Sequence, residues 1–228
     1  MTTLLLIRHG QNDFVGRKLA GRLPGVHLNE RGRRQAEAIA EALKLAPLKA
    51  IYSSPLERAV ETAEPLARLL NLPIQPRPGL MEIDFGGWQG KTMKQMARLK
   101  LWKTVQERPS QMVFPGGESF AAAQQRIVAD LQEIAACHEE KDLVACFSHS
   151  DAIKLAIAHY LGMPLDNFQR VAVDPTSITA LFISPEGQPF FGSINLLPGW
   201  SFPPAEKKKK RKRKLTTEHT EPTEKSRE

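Results

Sequence analysis

The sequence predicts a three-layer α/β/α fold with a mostly parallel sheet and an antiparallel edge, and three observations carry that expectation. Short, nearly continuous apolar runs alternate with longer stretches whose apolar residues recur every three or four positions, the pattern of buried parallel strands joined by amphipathic helices. The 228 residues are 41% hydrophobic and 25% charged, which fits an ordinary folded chain and excludes a collagen, a wholly disordered protein or a membrane bundle. The basic excess, +7 at pH 7, is concentrated at one end: positions 206–228 hold ten Lys or Arg and five Asp or Glu, which leaves residues 1–205 at only +2. One domain over 1–205, large enough to bury a core, and a basic tail over 206–228 are therefore expected.

The elements follow in order. Residues 3–8 (TLLLIR) form an almost unbroken apolar run suited to a strand buried on both faces. Asn29 stands as N-cap of a helix over 30–44, with Ala36, Ile39, Ala40 and Leu43 on one face. Residues 50–53 are a second strand, and Pro55, tolerated at a helix start, opens a helix over 56–70. A third strand lies near 74–77. A helix is expected within 91–107, where Met93, Met96, Leu99, Trp102 and Val105 recur at helical spacing, and a longer one over 118–137. A buried strand at 143–147 leads into a helix over 150–161. Segments 177–184 and 189–194, joined by Glu186-Gly187, read as an antiparallel hairpin at the sheet edge.

In open parallel sheets ligands bind outside the carboxyl ends of the strands. At those ends stand Arg8, His9 and Gly10; then Ser53 and Ser54, with Arg58 one helical turn on; then Ser148, His149 and Ser150. Two arginines and two histidines gathered beside helix N-termini make a site for a dianion, most simply a phosphoryl group. The guanidinium fork matches phosphate oxygens, and free N–H groups of a helix start add to it. A neutral histidine in that setting can attack phosphorus with one ring nitrogen while the other keeps its proton on an acceptor. A carboxylic acid held neutral would protonate the leaving alkoxide and, once ionised, activate water.

Leu6-Ile7-Arg8-His9-Gly10-Gln11, Gly21-Arg22 and Leu28-Asn29-Glu30-Arg31-Gly32-Arg33 resemble the opening of the histidine phosphatase superfamily, the phosphoglycerate mutase-like proteins. The resemblance continues in order through Ser53-Ser54-Pro55-Leu56-Glu57-Arg58, Leu80-Met81-Glu82, Pro115-Gly116-Gly117-Glu118-Ser119 and Ser148-His149, over roughly residues 3–195. It implies a phosphoglycerate mutase-like fold and a phosphatase acting on a small phosphomonoester. His9 would become phosphohistidine, Arg8, Arg58 and His149 would hold the phosphoryl group, and Glu82 would be proton donor and then base. Gln11, Asn12, Gly21, Arg22 and Ser150 are the expected substrate contacts. No metal and no cofactor is implied, because arginines supply the positive charge. Two departures stand out: Asn12 and Val15 replace the Ser or Thr and the Asn common in relatives, and Ser150-Asp151 replaces a Gly-Gly pair. Glu118 and Asp151 remain rival proton donors. A phosphomutase and a noncatalytic phospho-ligand-binding module are the alternative functions.

The remaining expectations are coarser. Cys137 and Cys146 are too few for a disulfide framework, and the apolar run at 4–7 is too short for a signal peptide, so a cytoplasmic protein with no membrane span is expected. Eight consecutive cations, Lys207 to Lys214, read either as a solvated tail or as a nonspecific contact for nucleic acid or anionic surfaces. The uncharged stretch from Phe190 to Phe202 reads as edge strand and packing tail or as a homodimer contact.

Overall fold

The computed structural model describes residues 1–183 and 188–198. The Glu186-Gly187 turn and the 206–228 tail lie outside the described residues. In chain order the elements are β1 (Thr2–Arg8), α1 (Glu30–Leu43), β2 (Leu48–Ser53), α2 (Glu57–Leu70), β3 (Ile74–Pro76), α3 (Met93–Met96), α4 (Trp102–Glu107), α5 (Phe120–Ala136), β4 (Leu143–Ser148), α6 (Ser150–Tyr160), β5 (Ile178–Ile183) and β6 (Phe190–Leu196). Short 3₁₀ turns punctuate the segment between β3 and α5 and follow α6.

One six-stranded sheet runs in the order β3-β2-β4-β1-β5-β6. The first four strands are parallel, and β5 and β6 close one edge antiparallel, as the patterning implies. The pleat sends alternate residues of each strand to opposite faces. Leu5, Ile7, Ile51, Ala145 and Phe147 meet α1 and α2 on one face. Leu4, Leu6, Tyr52, Val144 and Cys146 meet α5 and α6 on the other. Two separate cores result, which is why the middles of β1 and β4, Leu4 to Ile7 and Val144 to Phe147, are unbroken apolar runs. Among the described residues no helix is long and apolar enough to cross a membrane.

Local chemistry sets the helix starts. Asn29 caps α1, its side chain accepting the Gly32 N–H at 3.0 Å. Ser119 does the same for α5 through the Ala122 N–H at 3.0 Å. One expectation is corrected. The periodic stretch within 91–107 is two short helices, because α3 stops after a single turn and the chain bends before α4. Of its periodic residues Met96 and Val105 are buried, whereas Met93 is 47% exposed. Tertiary packing of a few side chains, and no continuous helical face, produced the period.

The connections place the site. The chain leaves β1 toward β2 by way of α1 on one face and leaves β4 toward β5 by way of α6 on the other, so the crossovers from these adjacent strands lie on opposite sides of the sheet. That divergence opens a crevice at the carboxyl ends of β1 and β4. Arg8 pairs with Ser148 in the ladder, and the His9 N–H continues it to the Ser148 carbonyl at 2.9 Å.

Candidate active site

His9 follows β1 directly and is 5% exposed. Its Nδ1 lies 2.8 Å from the Gly10 carbonyl oxygen, which only accepts, so Nδ1 carries the proton and Nε2 keeps its lone pair. Burial, with Arg58 and Arg8 nearby, holds the imidazole pKa well below its usual value. The ring is therefore neutral at neutral pH. The loop is fixed from both sides: the Gly10 N–H donates to Thr62 Oγ1 on α2 at 2.9 Å, and a Cβ at Gly32 would lie 2.0 Å from the Gln11 carbonyl oxygen. Glycine at 32 lets the start of α1 touch the backbone that carries His9.

Around His9 are buried nitrogens that no protein group satisfies. Arg58, 1% exposed on the first turn of α2, gives one Nη2 bond to the Gly21 carbonyl at 2.7 Å and leaves Nε and Nη1 free. Arg8 donates Nη1 to the Val173 carbonyl at 2.6 Å and leaves Nε free. Asn12 accepts the Phe14 and Val15 N–H groups with its oxygen and leaves Nδ2 free. His149 is fully buried with its ring centroid 5.2 Å from that of His9. Its Nε2 pairs with the Ser54 hydroxyl at 2.8 Å and its Nδ1 has no partner. Each unmade buried bond costs roughly 1–3 kcal/mol, so this cluster is built for something that accepts.

Arg8, His9, Asn12, Gly21, Arg58, Glu82 and Ser150 line one cavity of about 320 Å³, together with Lys18, Asp151 and Lys154. His149 lies behind that wall. The α6 N-terminus starts at Ser150, adding its free N–H groups.

Glu82 is 8% exposed, and its Oε1 accepts the Ile83 N–H at 3.0 Å. Burial, reinforced by Asp151, raises its pKa to about 7, so near neutrality a large fraction carries a proton. Glu118 is the opposite case. It accepts from Arg22 and Arg126 at 2.8 Å each and from the Asp84 N–H at 2.9 Å. Against a burial effect that works the other way, these partners depress its pKa and keep it ionised. It does not line the cavity, so of the rival carboxylates only Glu82 and Asp151 reach it.

Two expected substrate contacts sit elsewhere. Arg22 turns its guanidinium to the Glu82 carbonyl, at 2.9 Å from Nε, and to Glu118, outside the cavity wall. A buried carboxylate and a backbone oxygen outcompete open solvent for its donors. Gln11 binds the Gln35 side chain through its N–H at 2.9 Å and is likewise not on the wall. Sequence reasoning missed Arg126, which grips the Gly79 and Met81 carbonyls at 2.6 and 3.0 Å and so braces the turn carrying Glu82. It also missed Lys18, Lys154 and the Val173 carbonyl. Nothing in a residue's type marks a backbone oxygen 165 positions away as the partner of Arg8.

A family profile described as the histidine phosphatase superfamily (branch 1) matches residues 4–193. The chain belongs to that superfamily. It is 30% identical over 189 residues to phosphoserine phosphatase 1 of Hydrogenobacter thermophilus, covering 79% of this chain and 86% of that one. It is 35% identical over 180 residues to a glucosyl-3-phosphoglycerate phosphatase of Mycobacterium tuberculosis, covering 72% and 78%. Among solved structures it superposes on Bacillus stearothermophilus YhfR with a TM-score of 0.80 and 29% identity, over 86% of this chain and 98% of that one. The three-layer architecture read from the alternating pattern is thus the observed one, and the superfamily is the one that the motif blocks resemble.

Proposed function

We propose that this histidine phosphatase hydrolyses a small phosphomonoester through a phosphohistidine formed at His9 Nε2, with Glu82 as proton donor and then base. The observation that carries the reading is the ring of unsatisfied buried nitrogens on Arg8, Asn12, Arg58 and His149 around a histidine whose tautomer leaves Nε2 nucleophilic. A phosphoryl group supplies the oxygens those donors lack, and the charge of Arg8 and Arg58 helps most as negative charge shifts among the oxygens around phosphorus in the transition state. The names of the relatives support the substrate class, since phosphoserine and glucosyl-3-phosphoglycerate are both phosphomonoesters.

In the first half-reaction the Nε2 lone pair forms the P–N bond as the P–O bond to the alcohol breaks, and the Glu82 carboxyl proton goes to the departing oxygen. In the second, the Glu82 carboxylate takes a proton from water. That water forms a new P–O bond as P–N breaks, and inorganic phosphate leaves with His9 neutral again. Positive charge comes from Arg8 and Arg58, whose burial lowers their pKa values while the Glu82 carboxylate opposes the fall. Among the described residues no cluster of three His, Cys, Asp or Glu side chains is arranged to hold a metal ion.

The test is release of inorganic phosphate from a panel of sugar phosphates, phosphoglycerates, phosphoserine and alkyl phosphates, with a chelator present. Multiple turnovers into water are expected. Transfer of the phosphoryl group only to a second alcohol would convert the reading to a mutase, and tight binding without turnover would convert it to a binding module.

A further inference from the structure

A second cavity of about 200 Å³ opens beside the phosphoryl cavity, and Leu19, Phe85, Met93 and Asp151 belong to the walls of both. Its remaining wall is dominated by apolar and aromatic side chains, with Trp88, Trp102 and Phe114 the largest. These rings brace one another: Trp88 and Trp102 stack with centroids 6.5 Å apart, and Phe114 meets Trp88 and Phe85 edge-on at 5.4 and 4.9 Å. The polar members are few and mostly engaged elsewhere. Gln169 Nε2 donates to the Val105 carbonyl at 3.3 Å, and Asp151 sits 3.4 Å from Lys154 Nζ.

We propose that this cavity receives the alcohol half of the substrate, and that the preferred phosphomonoester carries an uncharged, apolar ring or branched group separated from the ester oxygen by one or two carbons. The inference rests on the phosphatase reading and narrows its substrate class. Three features support it. The two cavities adjoin and share four wall side chains, so a group leaving phosphorus has the aromatic walls beside it. An apolar space of about 150 Å³ is enough for a benzene ring, so this one accommodates a phenyl group with a short linker. Among the described residues the wall of this cavity carries no cation, and its one charged member is Asp151, so a second anionic group on the alcohol finds no partner there. A substrate ammonium or carboxylate would be stripped of water against indole and phenyl walls with few free polar partners.

The experiment compares kcat/KM for 2-phenylethyl phosphate, ethyl phosphate and phosphoserine on the wild-type full chain. The first two release alkoxides of similar basicity, so their ratio reports recognition of the ring and not leaving-group chemistry. We expect 2-phenylethyl phosphate to be favoured over ethyl phosphate by about 30-fold, equivalent to ~2 kcal/mol at 1.4 kcal/mol per tenfold, and over phosphoserine by more than tenfold. Met93→Glu, which places a charge at the junction on the rim helix α3, is expected to pull the phenylethyl-to-ethyl ratio below fivefold. Quenching of tryptophan fluorescence by the non-hydrolysable 3-phenylpropylphosphonate, and not by propylphosphonate, would place the ring against Trp88 and Trp102. A wild-type ratio under tenfold, or a preference for phosphoserine, overturns the proposal. Phosphate release from ethyl phosphate reports the reaction itself, so the inference can fail while the phosphatase reading stands.

Discussion

His9 and Glu82 are both buried titratable groups, and burial drives their pKa values in opposite directions. It makes the base neutral and the acid protonated at the same pH. With Glu82 at about 7, kcat/KM for an alkyl phosphate is expected to fall about tenfold per unit well above pH 7, as the donor loses its proton, and to fall on the acid side only as the substrate's own second ionisation, at about 6, is reversed. Glu82→Gln should remove the alkaline limb. It should also slow alkyl phosphate turnover by about 10²- to 10³-fold, while an activated aryl phosphate, whose leaving group needs no proton, loses far less at the phosphorylation step. Burst kinetics on the aryl ester separate that step from hydrolysis of the intermediate. Equal losses in both phosphorylation rates, with the pH limb intact, would hand the acid role to Asp151. Glu118 makes the complementary prediction. Glu118→Gln removes the partner of two guanidiniums, costing stability by roughly 1–3 kcal/mol. A lowered Tm with a smaller loss of alkyl phosphate turnover than Glu82→Gln is the expected outcome.

The helices matter through the backbone they press against the site. Gly32 in α1 and Gly10 beside His9 are in contact, and a Cβ on Gly32 would meet the Gln11 carbonyl and backbone nitrogen, atoms that have no rotamer to escape into. Gly32→Ala is therefore expected to destabilise by about 1–3 kcal/mol and to lower kcat by displacing His9. Thermal unfolding and turnover, measured together, check it, and wild-type values in both would show that the loop yields. The strands and the four long helices were legible because apolar periodicity, Asn29 and the strand-end residues all agreed. The stretch at 91–107 was not. Its apolar residues are spaced like a helix, yet α3 and α4 are short pieces packed individually over the aromatic cavity. Spacing alone does not record where a chain bends.

For the whole molecule, net charge is a poor guide to chemistry. The +7 of the chain is mostly the 206–228 segment, whereas the charge that faces the phosphoryl cavity beside His9 comes from Arg8 and Arg58, each with a buried guanidinium nitrogen that lacks a partner. Among the described residues, those lining the two cavities of the site fall between Arg8 and Gln169. Deleting 206–228 is accordingly expected to leave turnover of small phosphomonoesters unchanged and to weaken any salt-sensitive retention on nucleic acid, measured by assay and by elution from a DNA column. A collapse of activity would tie the tail to the site. The sequence placed His9, Arg8, Arg58, His149 and Glu82 at strand ends or in ordered motifs, and the fold brings these five together. The polar frame behind them, Arg126 and the Val173 carbonyl, depends on tertiary geometry that no motif spells out. Arg22 shows the same limit, since its neighbours in space and not its neighbours in sequence decide where its donors go. The central claim is that His9 Nε2 is the nucleophile, and it is tested most directly by quenching the enzyme during turnover of a labelled phosphomonoester. An acid-labile, base-stable phosphoryl adduct that maps to Nε2 of His9 and is lost in His9→Ala is expected. An adduct on another residue, or identical labelling of wild type and His9→Ala, would contradict it.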